Sequence, residues 1–333
     1  MRTADVVVIG GGIHGCSTAL HLAMRGLKPI LVEKDYAGRH ASGVNAGGVR
    51  QLARDLAEIP LSISSMEIWE HIEELVGDDC GFTSHGTVLV AETDAELAGF
   101  KARVDDLRLR GFEHEELIDR TELRRLVPAV SEHCPGGVVS RRDGAADPFR
   151  TTQAFRRAAM EKGSEILEGV TVAGLERRGD VWRLETSDGP IEAPKIVNAA
   201  GAWADRIAAM LGEPVPLTAV APMLMVTSRV PAFIDPVVIL RGRKLSFKQL
   251  ANGTVVIQPG DVWILPFVRM VESEIRLEIR DGFIRKVEGG ADARGFREWL
   301  DRNKRSPDDM DPYAVSHLGF GLHPNAHWDR ILM

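Results

Sequence analysis

Asp5-Val-Val-Val-Ile-Gly10-Gly-Gly-Ile-His-Gly15 is the stretch from which the fold is read. The apolar run Val6 to Ile9 reads as a strand buried on both faces, the kind found in parallel sheets. Gly10-x-Gly12-x-x-Gly15 breaks that run, and Ser17 to Arg25 then carries the apolar spacing of a helix, which Gly26 closes. Pro29-Ile-Leu-Val-Glu33 is a second buried strand. Together they form a β-α-β unit of about 30 residues, the setting in which glycines at this spacing mark a dinucleotide site. Gly10 permits the tight turn, Gly12 lets a pyrophosphate approach, and Gly15 lets helix and strand pack closely. Ile13 and His14 lie in the same turn, where backbone N–H groups and a helix N-terminus face the phosphates. Glu33 ends the second strand where a carboxylate accepts from ribose hydroxyls, with Lys34 beside it. An ordinary glycine-rich βα turn is the alternative, and it leaves Glu33 unexplained.

Composition bounds the rest. At 333 residues the chain exceeds what one ordinary core takes, so two domains or lobes are expected. Hydrophobic residues at 44% and charged residues at 27% belong to a folded soluble protein. A net charge of -7 argues against a nucleic-acid partner. Basic residues are scattered, so no polybasic membrane patch is expected. Cys16, Cys80 and Cys134 stand far apart without CxxC spacing, which suggests a reducing compartment and no disulfide framework. Cys16, inside the glycine turn, reads as a small packing side chain rather than a reactive thiol. No stretch approaches the roughly 18 apolar residues that span a bilayer, so no integral membrane segment is expected. Val6 to Ile9 is too short for a signal peptide. A cytoplasmic protein is the simplest reading.

Further along, Pro60 to Leu75, Asp94 to Arg110, Asp119 to Leu126 and Arg150 to Lys162 read as helices. Gly86 to Ala91 reads as a strand and Asp143 to Pro148 as a loop. Strands around Val170-Thr-Val172 and Trp182 to Thr186 are split by the turn Arg178-Gly-Asp, and Asp188-Gly189 signals a hairpin. Lys195 to Ala200 is another buried strand, running into Gly201 and a helix through Leu211. β-like runs follow at Val215 to Thr227, Val237 to Leu240, Ser246 to Leu250 and Thr254 to Ile257.

A nicotinamide dehydrogenase would continue with alternating strands and helices after Glu33. Instead the chain enters Gly38-Arg-His-Ala-Ser-Gly-Val-Asn-Ala-Gly-Gly-Val-Arg50. This resembles the D-amino-acid oxidase and sarcosine-oxidase superfamily of flavoproteins, above all its bacterial glycine, D-amino-acid and hydroxyproline dehydrogenase branch. There a Ser-x-x-Asn-x-Gly-Gly stretch wraps the FAD phosphates and ribose and brings the chain to the isoalloxazine ring. Ser42, Asn45, Gly47 and Gly48 are the matching positions, and Val49 follows them. Asp143-Gly-Ala-Ala-Asp147-Pro148, the next helix and Val170-Thr-Val172 resemble the segment whose backbone holds the adenine. Ile196-Val-Asn-Ala-Ala200-Gly201-Ala-Trp203-Ala-Asp205 resembles the strand–glycine–helix that returns to the pyrophosphate.

The resemblance implies FAD as cofactor and oxidation of an amine or amino acid. A neutral amine lies over the flavin, hydride passes to N5, and the imine hydrolyses. A substrate carboxylate wants an arginine, whose planar fork binds it bidentately. Arg50 is the first candidate because it follows the glycines that approach the flavin, and Arg241 and Arg243 come next. A surface salt bridge is the competing reading for each. His40 stands close to Ser42, and some relatives attach flavin through a histidine near this motif; a hydrogen-bonding or solvated histidine is the alternative. His85, before a strand glycine, is a candidate for facing the substrate. Relatives often work in hetero-oligomers, so partner subunits are possible.

The resemblance stops at Ile257. Residues 258–333 lack the family's closing segments, including the glycine-rich strand–helix at the flavin pyrimidine end. Glu274 to Arg285, Glu288 to Asp292 and Ser316-His317-Leu-Gly-Phe-Gly-Leu-His-Pro-Asn325 resemble a fragment of the 2,5-dihydroxypyridine dioxygenases, ferrous-iron enzymes. His317 matches a metal ligand of that family. The remaining ligands do not follow before Met333, and one imidazole cannot hold iron alone, so no working metal site is expected even with His323 and His327 nearby.

The expected fold is α/β: a Rossmann-like FAD-binding domain from about 1–55 and 145–212, a β-sheet substrate lobe from about 56–144 and 213–257, and an atypical α+β segment over 258–333. A fusion or truncation near residue 258 is one reading of that segment, and a divergent cap is the other. The alternatives to an amine-oxidising flavoenzyme are an iron dioxygenase fragment, a non-catalytic chain that binds FAD poorly, and a nicotinamide dehydrogenase.

Overall fold

The computed structural model describes residues 1–219, 224–240, 242, 245–258, 275–280 and 283–313. They fall into two compact units, one within residues 1–220 and 224–259, the other within 221–223 and 260–333.

The first unit is built around a parallel sheet in the order Ile196–Asn198, Val6–Ile9, Pro29–Glu33, Glu165–Glu168. Strand alternation divides its apolar side chains between two cores. Val6, Val8 and Leu31 meet Cys16, Ala19 and Leu20 of helix Ile13–Met24, and Ala154, Phe155, Ala158 and Ala159 of helix Pro148–Glu161. Val7, Ile9, Ile30 and Val32 face the other way, onto Val170, Val172, Leu184, Ile191 and Ala193. That second layer is a four-stranded sheet ordered Arg2–Thr3, Ile191–Ala193, Val181–Thr186, Val172–Arg178. Both faces of the parallel sheet are thus covered, as its unbroken apolar strands require. Helix Pro148–Glu161 begins two residues earlier than the sequence pattern suggested. Proline suits a first helical turn, and the Asp147 carboxylate caps it by accepting from the Arg150 N–H at 2.8 Å.

A third sheet of this unit has seven strands, ordered Met225–Val226, Val255–Gln258, Leu245–Gln249, Val237–Leu240, Thr87–Ala91, Gly136–Ser140, Glu116–Asp119. It is mixed: Val237–Leu240 runs parallel to Thr87–Ala91, and the other pairs are antiparallel. Strands Gly136–Ser140 and Glu116–Asp119 carry no readable apolar pattern. Gly136 and Gly137 occupy places where a side chain would strike the carbonyls of Ile118 and Leu89. Among the described residues between Val215 and Thr227 only Met225–Val226 is a strand, and Pro214 and Pro216 withhold N–H groups that a ladder needs. The helix expected over Pro60 to Leu75 is two helices, Ile59–Glu70 and Ile72–Val76, parted at His71, whose N–H turns back to the Ile68 carbonyl at 3.1 Å. The helix expected after Gly201 begins as a 3₁₀ turn, Gly201–Trp203, and continues as Ala204–Ala209.

In the second unit, Ile275–Arg280 and Phe283–Gly289 form an antiparallel hairpin, so the alternation at Ile275, Leu277 and Ile279 is that of a strand. Helix Ala291–Arg302 packs on the hairpin through Ala293 and Leu300 against Ile284 and Val287. His317, His323 and His327 lie outside the described residues.

Candidate active site

The glycine turn is interlocked with two distant segments. Gly10 has φ +113°, a conformation in which a side chain is strained, and a Cβ there would strike the Ala199 carbonyl and lie 3.0 Å from the Ala200 Cα. The Ala199 N–H donates to the Ile9 carbonyl at 2.8 Å, which runs the Ala200–Gly201 segment along the turn. A Cβ on Gly15 would strike the Gly10 carbonyl, so the helix approaches the strand only through glycine. On the open side, a Cβ on Gly12 would stand 2.9 Å from Ser42 Oγ. Ser42 Oγ accepts the Ile13 N–H at 2.9 Å. Helix Ile13–Met24 has no side-chain cap and no acid in its first turn, leaving its positive end for an anion. His14 is exposed on that turn, and Cys16 is buried, its thiol pushed up to about 12 by burial, as an inert packing group should be.

Glu33 is buried, and its carboxylate accepts the Gly11 N–H at 2.6 Å and the Asp35 N–H at 2.9 Å. Beyond it, Lys34 Nζ sits 3.5 Å from the centre of the Trp203 ring, and His40 packs on the same ring at 4.7 Å. His40 Nε2 bonds Asp35 Oδ2 at 2.7 Å, and this bond holds the Asp35 carboxyl below the usual carboxylate range. Val172 arrives from the other layer: the Val170 N–H donates to the Glu33 carbonyl at 2.9 Å, two residues before it.

From Ser42 the chain turns toward the mixed sheet. Asn45 fixes the bend, donating from Nδ2 to the carbonyls of Ala41 and Ser42 at 3.0 and 3.2 Å and accepting the Gly47 N–H at 2.7 Å. Gly48–Val49 then pairs with Gly144–Ala145. Gly47, at φ +65°, has no room for a Cβ against the Ala146 carbonyl. The Asp143 carboxylate, fully buried, accepts from the Gln51 N–H at 2.8 Å, the Leu52 N–H at 3.0 Å and the Ser140 hydroxyl at 2.8 Å. Burial raises its pKa and these bonds oppose that. Glu115 takes the next N–H, that of Ala53, at 2.8 Å and is paired with Arg103. Two buried acids therefore hold the arm that carries Arg50. Asp143→Ala leaves three donors unpaired, and since each costs about 1–3 kcal/mol we expect a destabilisation of about 3 kcal/mol or more. Urea unfolding measures it, and a loss below about 1 kcal/mol would show that water replaces the carboxylate.

A cavity of about 250 Å³ lies between this loop and the mixed sheet. Asn45, Gly48 and Arg50 line it on one side, Ser246, Lys248 and Gln258 on the other. The Arg50 guanidinium is half-buried and donates to the Leu52 carbonyl; burial and then Arg54 lower its pKa. Lys248 is buried, and burial brings its amine down to about 8 against the opposing pull of Asp147. Lys248 was not legible as a site residue, although it alternates in phase with Ser246 and out of phase with Phe247. His85 is exposed and is not among the residues lining the cavity, and Arg241 and Arg243 lie outside the described residues. A second cavity, of about 320 Å³, is lined by Trp69, Phe82 and the acids Glu70, Glu73, Glu74 and Asp79, and includes no residue expected at the site.

The donors present suit a flavin dinucleotide: a bare helix N-terminus beside a hydroxyl, a buried carboxylate at the second strand's end, and a glycine loop leading to a cavity. Comparison with known proteins agrees. Mouse (Mus musculus) mitochondrial sarcosine dehydrogenase is 31% identical over 237 residues, 68% of this chain and 26% of that protein. Sarcosine oxidase subunit beta of Rhizobium meliloti (strain 1021) is 29% identical over 260 residues, 76% of this chain and 62% of that protein. The chain thus spans about a quarter of the length of the mitochondrial relative. Among solved structures, L-proline dehydrogenase from P. horikoshii superposes with a TM-score of 0.70 at 28% identity, covering 78% of this chain and 70% of that one. L-amino acid deaminase from Proteus myxofaciens gives 0.72 at 25% identity, covering 78% and 59%. The family described as DAO, FAD dependent oxidoreductase, matches residues 5–314, past Ile257 and into the second unit. This chain belongs to the FAD dependent oxidoreductase family.

Proposed function

We propose that the chain oxidises the amine of a small amino acid, with Arg50 holding the substrate carboxylate. The observation that carries this reading is Arg50 lining a cavity on the loop that leaves the glycine turn. The names of the relatives support it: sarcosine dehydrogenase and L-proline dehydrogenase both name a secondary amine bearing a carboxylate. FAD, when bound, supplies the two-electron acceptor.

In this reading Gly10, Gly12, Ile13, His14, Gly15 and Ser42 would hold the pyrophosphate. Glu33 serves the ribose, with Lys34, His40 and Trp203 beside it. Val172 offers backbone to the adenine, and Ala200 and Gly201 back the turn. Asn45, Gly47, Gly48 and Val49 shape the path to the ring. His40 clusters with Glu33 and Asp35, which supports a role at the ribose rather than in the cavity. One relative is named as a subunit, which supports work within a hetero-oligomer. Among the described residues no helix is long and apolar enough to cross a membrane. The wide spacing of Cys16, Cys80 and Cys134, each buried, supports our placement in the reducing cytoplasm.

The test compares turnover of sarcosine, proline and D-amino acids with that of their decarboxylated amines, using an artificial electron acceptor. We expect the carboxylates to be favoured by about 100-fold or more in kcat/KM, the worth of a charge-assisted bidentate contact. Equal turnover of the decarboxylated amines would remove Arg50 from its role. A junction near residue 258 is a second proposal, supported by the division between compact units at residues 259 and 260 and opposed by the family match that runs on to residue 314. The mass of the native chain tests that junction.

A further inference from the structure

We infer that Lys248 takes the proton from the substrate's ammonium group in the cavity, leaving the neutral amine from which oxidation proceeds. The inference rests on reading that cavity as the amine site. Amino-acid amines titrate near pH 10, so at neutral pH the substrate arrives with its nitrogen lone pair tied up in an N–H bond. The α-carbon cannot release hydride until that lone pair is free to form the C=N bond. One N–H bond of the substrate breaks, its electron pair stays on the substrate nitrogen, and a new N–H bond forms at Lys248 Nζ. The two electrons of the oxidation itself go to FAD, the acceptor of this family. The proton leaves Lys248 to water when the product departs.

The placement supports this role. Lys248 sits on strand Leu245–Gln249, is paired with Val256, and is only 6% exposed. Its side chain shares a sheet face with Ser246, away from Phe247, which packs into the core with Val238. Nζ lies 3.1 Å from the place a Cβ on Gly47 would take, so the amine reaches across to the glycine loop.

Its charged surroundings are few among the described residues. Asp147, on the loop beneath, favours the protonated amine, and its carboxylate already caps helix Pro148–Glu161. Arg50 lines the same cavity, and burial is what favours the neutral amine. The flanking strands contribute Val237, Ile239, Val256 and Gln258, and the loop contributes Asn45, Gly47 and Gly48, none of them charged. Lys248 has no carboxylate ion pair among the described residues. A buried amine without a fixed counter-charge is suited to gaining and losing a proton near the working pH, where a general base is most effective.

The experiment is anaerobic stopped-flow reduction of the FAD-loaded protein by sarcosine, comparing wild type with Lys248→Met and Lys248→Gln from about pH 7 to about pH 10.5. In the wild type kred/Kd rises through a group near pH 8. Both variants fall by about 100-fold or more at pH 7. At pH 10.5, where the substrate is a free amine, they recover to within about threefold of the wild type. Flavin absorbance and thermal midpoint confirm that each variant is folded and loaded, and the second substitution stands if the first does not fold. An equal loss at both pH values would make Lys248 a structural group and overturn the proposal. Undiminished reduction at pH 7 would overturn it too. If no amine or amino acid reduces wild-type flavin, the reading of the cavity fails first; if only the variants behave as wild type, that reading survives and the role of Lys248 alone falls.

Discussion

Gly10→Ala yields a protein that has lost its flavin. The residue stands at φ +113°, where a side chain costs about 1–3 kcal/mol in backbone strain alone. The added Cβ also meets backbone, the Ala199 carbonyl, and backbone cannot rotate away as a side-chain tip can. Relief requires the segment Ala199–Gly201 to move off the turn, which displaces two of the three motifs that frame the phosphate site. A combined cost of roughly 3–5 kcal/mol is expected, lowering FAD affinity by about 100-fold or more and the thermal midpoint by about 10 °C. Gly26→Ala is the matched control. Gly26 also has a positive φ, +80°, but nothing lies within 4 Å of its Cβ position, so only stability should fall and flavin should be retained. Equilibrium dialysis with FAD reads both variants. A yellow, stoichiometrically loaded Gly10→Ala protein would mean the glycine turn is not the phosphate site.

The second large effect is on turnover. Arg50→Ala keeps its flavin, because no contact of Arg50 touches the glycine turn; its guanidinium bonds the Leu52 carbonyl. For a substrate with a carboxylate, kcat/KM falls by about 100- to 1000-fold, since truncating one member of a desolvated charge pair costs about 2–5 kcal/mol. Arg50→Lys restores little, because an ammonium lacks the planar fork that matches a carboxylate. Turnover of a decarboxylated amine, low in both proteins, is unchanged by the substitution. Equal losses for both substrates would show that Arg50 shapes the loop and binds nothing.

The flavin half of the molecule was legible because its signals are local. Val6–Ile9 and Pro29–Glu33 are apolar at every position up to Glu33, as a strand buried on both sides must be, and Gly10, Gly12 and Gly15 act within one turn. The mixed sheet was partly hidden. Gly136 and Gly137 replace side chains with close backbone contact, which erases the alternation that marks a strand. Position explains the other differences. His85 reads from sequence like a residue at the mouth of a strand, yet it is exposed and off the cavity. His40 lies near Ser42 in the chain, yet Asp35 and Trp203 hold it beside Glu33. Lys248 carries no motif at all. Its meaning comes from the sheet face it occupies and from a glycine loop far away in sequence, and both exist only once the chain is folded.

On our proposal one FAD sits between the glycine turn and the Arg50 cavity and takes electrons from an amino acid. An absorbance spectrum of the purified protein, followed by anaerobic addition of sarcosine, proline derivatives and D-amino acids, tests it most directly. We expect flavin bands at about one FAD per chain, bleached by at least one of these carboxylates and about 100-fold more slowly by its decarboxylated amine at the same concentration. A colourless protein that takes up no added FAD, or a flavin that none of the amino acids bleaches, would contradict it.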